Sequence, residues 1–444
     1  MNAVVQLPNG GDILAVGWKK VGSIGKRYLV RLNPLTSTVV WEATEFGDNS
    51  ATSNGAWEMI DIYGDNIILS GVRQISSLEG TMDFKSYGNV DGGTAVVMQI
   101  PVSSLTSAPS SLSASWTKEY NSPAQTAKAA RPIGNTGNIA VLLWGEETAQ
   151  SSAMLDKLSA LNGQSLLVSG IKQYGATHGE GTDIAVSTDG SSVYITGHGK
   201  SPLIPNGSEL YGKITKIRAS DYVQQWSKGY ASCNVSTMPT CWPIKNECWG
   251  IASLTSGNVV IGCGTGIEDC NDPMPQSQKT QCLAGNQIDG VDPRINAIPY
   301  RSGIWRSMTV EVDSNGDVVW QRVDAYKGQD DTDLNEHGSS ACEYVFVKSN
   351  NNLAFVQDEI FGVGVFEVSG SSSSNPSTEA PGTTAGPDTT STPDTTSTPE
   401  TTEVPGDDDS KDNNTIMYAA IGASATFAVL ILLGLCWITM RSKR

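Results

Sequence analysis

Five residues in two loops combine imidazole and carboxylate groups, which are the side chains used for metal binding and for acid–base chemistry. They are His178, Glu180, Asp333, Glu336 and His337. Imidazoles and carboxylates together can hold a metal ion or move protons in a reaction. Both loops lead into the first strand of a repeated unit, so a ring of such units would place them on one face. The alternative is a pair of ordinary polar turns. His198 follows a second strand and is expected to stand apart.

Residues 313–322 also have the spacing of a metal loop. Asp313, Asn315 and Asp317 alternate as oxygen ligands do at the start of a calcium loop. The dipeptide Asn315-Gly316 is equally typical of a tight turn between two strands. The equivalent turns at 33–38 and 219–223 lack the acidic spacing, and a calcium loop would need a further ligand downstream. The pattern therefore predicts a hairpin turn.

The cysteines are concentrated in one short region. Six of the eight lie within it: Cys233, Cys241, Cys248, Cys263, Cys270 and Cys282. They show no CxxC spacing and the chain has only three histidines, so disulfides in an oxidising compartment are expected in place of zinc. Expected pairs are Cys233–Cys241, Cys248–Cys263 and Cys270–Cys282, among the fifteen pairings that six cysteines allow.

Two kinds of strand pair alternate along the first 370 residues and must position these groups. Hairpins with alternating apolar residues around Gly, Asn or Asp occur at 3–17, 58–71, 128–145, 183–197, 250–264 and 343–357. A second pair follows each of the first five, at 28–46, 94–120, 152–174, 211–230 and 306–326. Four-stranded units repeated in this way are typical of a β-propeller. The predicted fold is all-β, with residues 1–368 forming about six visible four-stranded blades and six to eight in full.

Tryptophans recur at one position of this repeat. They are Trp41, Trp116, Trp226 and Trp320, each on the last strand of its unit. A large ring at that position can fill the gap between adjacent sheets, so we expect packing and not ligand stacking.

The alternation, the glycine-rich turns and the recurrent tryptophan resemble the quinoprotein-type (PQQ-like) propeller repeats. The resemblance implies the fold. It does not imply the cofactor, because the chain has no vicinal Cys-Cys pair, no calcium cluster and no clear Trp-Gly docking set. A sialidase-type Asp-box is also absent, since Asp313 lies three residues before Gly316 and not two. No cofactor and no metal are therefore expected.

The C-terminal part predicts a membrane anchor. Residues 369–415 are rich in Ser, Thr and Pro, which is typical of a mucin-like, O-glycosylated stalk; an unmodified linker is the alternative. Residues 416–440 carry no charge, which predicts a transmembrane helix. The basic residues 441–444 mark a cytoplasmic tail.

This order predicts a single-pass type I protein in the plasma membrane or an endomembrane, with the large domain outside the cytoplasm. A tail anchor with a cytosolic domain is the alternative, which the cysteines disfavour. Asn206 and Asn234 are glycosylation acceptors on the same side. The chain begins inside the first hairpin and its last unit has three strands. We therefore expect that an N-terminal part, with a signal peptide and the closing strand, is missing.

The expected function is binding. A net charge of −17 and a pI of about 4.6 exclude nucleic acid as a partner. The expected partners are the lipid bilayer and an extracellular protein or glycan, with the insertion at 264–305 as a candidate surface. The alternative is a membrane-anchored ectoenzyme, either a quinoprotein-like oxidoreductase or a hydrolase.

Overall fold

A computed structural model describes most of the predicted propeller. The described residues are 1–8, 11–46, 54–75, 93–105, 112–147, 150–175, 179–200, 210–230, 245–267, 276–283, 304–324, 340–347, 352–359 and 362–368. Within these ranges, no helix has the length and apolarity that crossing a bilayer requires. The predicted stalk, transmembrane helix and tail at 369–444 lie outside the described residues.

The strands form six antiparallel sheets in chain order. Sheet 1 consists of β1 (Ala3–Gln6), β2 (Ile13–Val21), β3 (Ile24–Asn33) and β4 (Thr38–Ala43). Sheet 2 consists of β5 (Asn54–Tyr63), β6 (Asn66–Ile75), β7 (Thr94–Pro101) and β8 (Trp116–Glu119). Sheet 3 consists of β9 (Thr126–Pro132), β10 (Asn138–Glu147), β11 (Gln150–Ser159) and β12 (Lys172–Gln173).

The second half repeats this plan. Sheet 4 consists of β13 (Glu180–Val186), β14 (Ser192–Lys200), β15 (Leu210–Arg218) and β16 (Gln224–Tyr230). Sheet 5 consists of β17 (Lys245–Ser253), β18 (Val259–Ile267), β19 (Ile304–Val312) and β20 (Val318–Asp324). Sheet 6 has three described strands, β21 (Ser340–Val347), β22 (Leu353–Glu359) and β23 (Gly362–Val368). Among the described residues, a short 3-10 helix (Val102–Leu105) follows β7, and an α-helix, α1 (Gln276–Leu283), lies between β18 and β19.

Successive sheets pack face to face, and this packing buries the core between them. The first strand of each sheet from 2 to 5 packs against three strands of the sheet before it, and β21 does the same against sheet 5. The first strand of sheet 6 also reaches those of sheets 2 and 3 through side chains. First strands therefore surround a common axis. The all-β propeller prediction is confirmed, and the six hairpins and the strand pairs lie where the sequence pattern puts them.

The recurrent aromatic residues dock each sheet on the next one. The indole N–H groups of Trp41, Trp116 and Trp226 donate to carbonyl oxygens at 3.0, 3.0 and 3.1 Å. Those carbonyls belong to Leu105, Ala160 and Ser314, each in the connection between the third and fourth strands of the following sheet. Sheet 3 lacks the tryptophan, and there the Tyr174 hydroxyl donates to the Tyr222 carbonyl at 2.6 Å in the equivalent connection of sheet 4. One repeated contact thus explains the predicted packing role of Trp41, Trp116 and Trp226. Trp320 differs, because its indole N–H donates to Glu311 of its own sheet while its ring packs edge-on against Phe355 of sheet 6.

Two glycines lie directly under docked indoles. A Cβ at Gly163 would lie 2.5 Å from Trp116 Cε3, and one at Gly316 would lie 3.0 Å from Trp226 Cη2. The partners lie on neighbouring sheets, and their hydrogen-bonded positions are 44 and 88 residues apart in sequence. Sequence adjacency therefore gives no sign of the pairing.

The stretch at 313–317 is the turn between β19 and β20. Asp313 Oδ1 accepts backbone N–H groups of Asn315 at 2.8 Å and Asp317 at 2.9 Å, and Gly316 has a φ of 80°. Burial would raise the pKa of Asp313, but these hydrogen bonds lower it. Asp317 Oδ1 accepts a hydrogen bond from Lys228 Nζ at 2.7 Å. The hairpin prediction for this stretch is confirmed.

Candidate functional site

The predicted axial site is only partly within the described residues. Glu180 begins β13, at the end of the axis where first strands start. His178, Asp333, Glu336 and His337 lie outside the described residues. Their grouping with Glu180 therefore stays a prediction.

Glu180 has a histidine neighbour that the sequence reading separated from it. His198 lies within β14, directly opposite Glu180 in the antiparallel register, with Nε2 3.4 Å from Glu180 Oε2. Both residues are buried, at 8% and 2% exposure. Burial would raise the pKa of Glu180, but hydrogen bonding and charge from His198, with the charge of Lys128, lower it. The expectation that His198 stands apart is wrong, because cross-strand pairing places it beside Glu180.

A bulge recurs at one level of the first strands. In sheets 2 to 6 one residue is skipped in the pairing of the first strand with the second: Glu58, Lys128, Thr182, Trp249 and Glu343. Bulges re-aim the skipped side chain and increase local twist. We call these five the bulge residues.

The bulge level also links neighbouring sheets. Thr182 Oγ1 donates to the carbonyl of Cys248 in sheet 5 at 2.7 Å. At the corresponding level of sheet 1, Asn2 Nδ2 donates to the carbonyl of Trp57 in sheet 2 at 2.9 Å. The accepting residue is in both cases the one just before a bulge. The bulge therefore turns a short polar side chain towards the next first strand.

Arg131 is the centre of a polar cluster on the axis. Its Nη1 lies 3.2 Å from Asp61 Oδ2, and its Nη2 lies 3.5 Å from Asp183 Oδ1. Its Nε donates to the carbonyl of Ile184 at 3.3 Å, and Nη2 also donates to the Tyr344 hydroxyl at 3.4 Å. These partners come from the first strands of sheets 2, 4 and 6, so one guanidinium joins four sheets. We call Arg131, Asp61, Asp183 and Tyr344 the axial hub.

Tyr344 crosses the axis to complete this hub. Its hydroxyl accepts from Arg131 and donates towards Met59 Sδ at 3.8 Å, although the two residues of the latter pair are 285 positions apart in sequence. Burial would lower the pKa of Arg131, but the oxygens of Tyr344, Asp183 and Asp61 raise it above its ordinary value. A guanidinium with this many oxygen partners is a permanent cation. The hub therefore places an ion network, partly exposed to solvent, on the axis at this level.

The hub was missed by the sequence reading, although a sign of it is present. Asp61 and Arg131 are charged residues near the ends of largely buried first strands. A charge in such a strand needs a partner. Neither sequence spacing nor a motif indicates which strand supplies it.

The disulfide prediction is confirmed for one pair. Cys248 and Cys263 are bonded across β17 and β18, and both are fully buried. Cys233, Cys241 and Cys270 lie outside the described residues, as does the side chain of Cys282 in α1. The glycosylation acceptors Asn206 and Asn234 also lie outside them. The described part of the chain contains no group of three His, Cys, Asp or Glu side chains that could hold a metal ion.

Comparisons with known proteins give structural similarity only. No family model matches the chain, and no curated protein matches it either. Among solved structures, it is similar to the β-propeller domain of the Trilobed protease from Pyrococcus furiosus, with 8% identity, 81% and 80% of the two chains covered and a TM-score of 0.37. It is also similar to Drosophila Plexin A in complex with Semaphorin 1b, with 7% identity, 82% and 73% coverage and a TM-score of 0.38.

A third similarity is to the quinohemoprotein alcohol dehydrogenase from Comamonas testosteroni, with 10% identity, 78% and 55% coverage and a TM-score of 0.36. Similarities at this level carry no argument about activity or partners. The resemblance to PQQ-like repeats stays a prediction.

Proposed function

We propose that this chain is a single-pass type I membrane protein that presents its β-propeller for binding an extracellular protein or glycan. The observation that carries the proposal is the polar network on the axis. Arg131 and Tyr344 join four first strands there, and this network has a structural role in holding the sheets together. The two faces and the rim remain as the surfaces available for a partner.

The placement of the chain is supported by its composition and by one covalent bond. Residues 416–440 are uncharged and long enough to cross a bilayer as a helix, and a Ser/Thr/Pro-rich segment precedes them. The Cys248–Cys263 disulfide fits an oxidising compartment, where such bonds persist. A propeller on a stalk outside the cytoplasm accounts for these features together.

The ectoenzyme alternative is less well supported by the described residues. Glu180 and His198 have the right chemistry for proton transfer, but both are buried and face each other. Such a pair fits a structural role better than a catalytic one.

Orientation is tested on intact cells that express the full chain with a C-terminal tag. We expect external protease to remove the propeller and leave the tag protected. We also expect Asn206→Gln and Asn234→Gln each to lower the apparent mass by one glycan, and glycosidase treatment to abolish the difference. A propeller that resists protease until the cells are permeabilised contradicts the proposed orientation.

Binding is tested by screening the full chain against extracellular proteins and glycans. The insertion is the first surface to remove. Ile267 and Ile304 are directly paired across β18 and β19, so a short turn can replace residues 268–303 without moving either strand. The matched control replaces the exposed residues 168–170 between β11 and β12, which do not contact Trp116, with an equally flexible sequence. If a partner no longer binds the variant without residues 268–303 but still binds the control, the insertion is the binding surface. A screen without any bound partner contradicts the proposed binding function.

A further inference from the structure

A surface cleft opens at the end of the axis opposite to Glu180. It has a volume of about 480 Å³ and is lined by Ile62, Tyr63, Gly64, Asn66, Pro132, Gly134 and Asn135. One wall is the β5–β6 turn of sheet 2 and the other is the β9–β10 turn of sheet 3. Clefts of roughly 300–1,000 Å³ are the usual size for small-ligand sites.

The lining has a definite chemical character. The cleft is open to solvent, and every lining side chain is uncharged. The one charged residue of the two turns is the exposed Asp65, so a phosphate or a carboxylate would find no counter-ion in the cleft wall. Asn66 and Asn135 each offer a carboxamide that both donates and accepts hydrogen bonds. Tyr63 adds a hydroxyl and a partly buried ring, which also packs against the core between sheets 2 and 3. Paired donors and acceptors beside an aromatic ring match a neutral ligand with adjacent hydroxyl groups.

The walls are held in place before any ligand binds. The backbone N–H of Ile62 donates to Asp61 Oδ1 at 2.7 Å, and Asp61 is itself paired with Arg131 of sheet 3. On the opposite wall, Thr136 donates through both its backbone N–H and its hydroxyl to the Ile133 carbonyl, at 3.1 and 2.6 Å. The axial hub thus fixes the spacing between the two turns. A preformed site loses less conformational entropy on binding.

We infer that this cleft is a subsite for a neutral saccharide unit, with the Tyr63 ring against the apolar face of the sugar and the two amides bound to its hydroxyls. The inference rests on the proposed binding function and names its ligand class. It is independent of the insertion at 268–303, which lies on sheet 5.

The test is saturation-transfer-difference NMR on the purified full chain in a sugar-free detergent. The probes are D-mannose, D-galactose and N-acetyl-D-glucosamine, with N-acetylneuraminic acid as the charged comparison. We expect transfer to at least one neutral sugar and a smaller transfer to the acidic one. Tyr63→Ala and Asn135→Ala should each weaken binding at least tenfold.

Matched controls separate loss of contact from loss of fold. Tyr28→Ala removes a half-buried tyrosine on sheet 1, and Asn162→Ala removes an asparagine in the β11–β12 turn; neither lines the cleft. Both should bind like the wild type. Absence of transfer to all three neutral sugars, or unchanged binding in the folded Asn135→Ala variant, overturns the inference. If screened partners still bind while the sugars do not, the saccharide subsite fails and the proposed binding function stands.

Discussion

The docking of Trp116 on Gly163 can be measured against a neighbouring glycine that has no such contact. Gly163 and Gly170 both lie between β11 and β12 and have positive φ values of 68° and 74°. A Cβ at Gly163 would lie 2.5 Å from the indole of Trp116, whereas a Cβ at Gly170 would have no atom within 4 Å. Replacing either glycine by alanine therefore imposes a similar backbone cost, but only the substitution at Gly163 also displaces an indole.

The expected magnitudes follow from these contacts. Left-handed backbone costs alanine about 1–2 kcal/mol, and the reduced entropy of the unfolded chain offsets about 0.4–1 kcal/mol of that. Gly170→Ala should therefore lower the free energy of unfolding by about 1 kcal/mol. Displacing the indole also removes its hydrogen bond to Ala160, worth about 1 kcal/mol, and re-exposes part of the ring, worth about 1.5 kcal/mol for roughly 60 Å². Gly163→Ala should then cost about 3–4 kcal/mol.

The assay is urea denaturation of each variant, with the midpoint and the slope fitted together. The loss of unfolding free energy in Gly316→Ala should lie between those of Gly170→Ala and Gly163→Ala, because its Cβ would meet the Trp226 ring at 3.0 Å. In a Trp116→Ala background, Gly163→Ala should cost no more than Gly170→Ala does. Equal destabilisation by the Gly163 and Gly170 substitutions in the wild-type background would refute the docking argument.

Three further perturbations address the axis and the disulfide. Arg131→Met leaves two carboxylates without their cation, so it should lower the free energy of unfolding by about 3–5 kcal/mol in a denaturant titration. Tyr344→Phe removes only a hydroxyl and should lower it by about 1 kcal/mol. Glu180 has a lowered pKa when folded, so its contribution is present above the unfolded pKa and is lost as the pH falls through the folded one. Melting temperatures of the wild type and Glu180→Gln should thus differ at pH 7 and converge in acid; a constant gap contradicts this. Replacing both Cys248 and Cys263 by alanine removes a disulfide that joins residues 15 positions apart, and should lower the free energy of unfolding by about 3 kcal/mol. An unchanged free energy of unfolding would mean that the disulfide does not stabilise the fold.

The local structure was predictable from sequence because its signals are local. Alternating apolar residues and Gly-containing turns determine each hairpin, and the 313–317 turn was predictable from Asn315-Gly316 together with the equivalent turns, which lack the acidic spacing. The Cys248–Cys263 pair was predictable for the same reason, since both residues lie within one hairpin. The recurrence of tryptophan on the last strand indicated packing between sheets before any geometry was known.

The contacts on the axis were not predictable because they join distant strands. Arg131 and Tyr344 are separated by 213 residues, and no spacing rule links them. The bulges escaped notice because their skipped positions carry chemically unrelated side chains, from Glu58 to Trp249. His198 was misplaced because its pairing with Glu180 depends on the register that the Gly181 bulge creates.

The position of Tyr344 in the chain has a consequence for biosynthesis. Chains leave the ribosome N-terminus first, and the strands carrying Asp61, Arg131 and Asp183 all precede the sixth sheet. The guanidinium and both carboxylates are thus synthesised before the hydroxyl that completes the hub. A chain that stops before the sixth sheet would therefore carry the ion pairs of Arg131 without their link to that sheet.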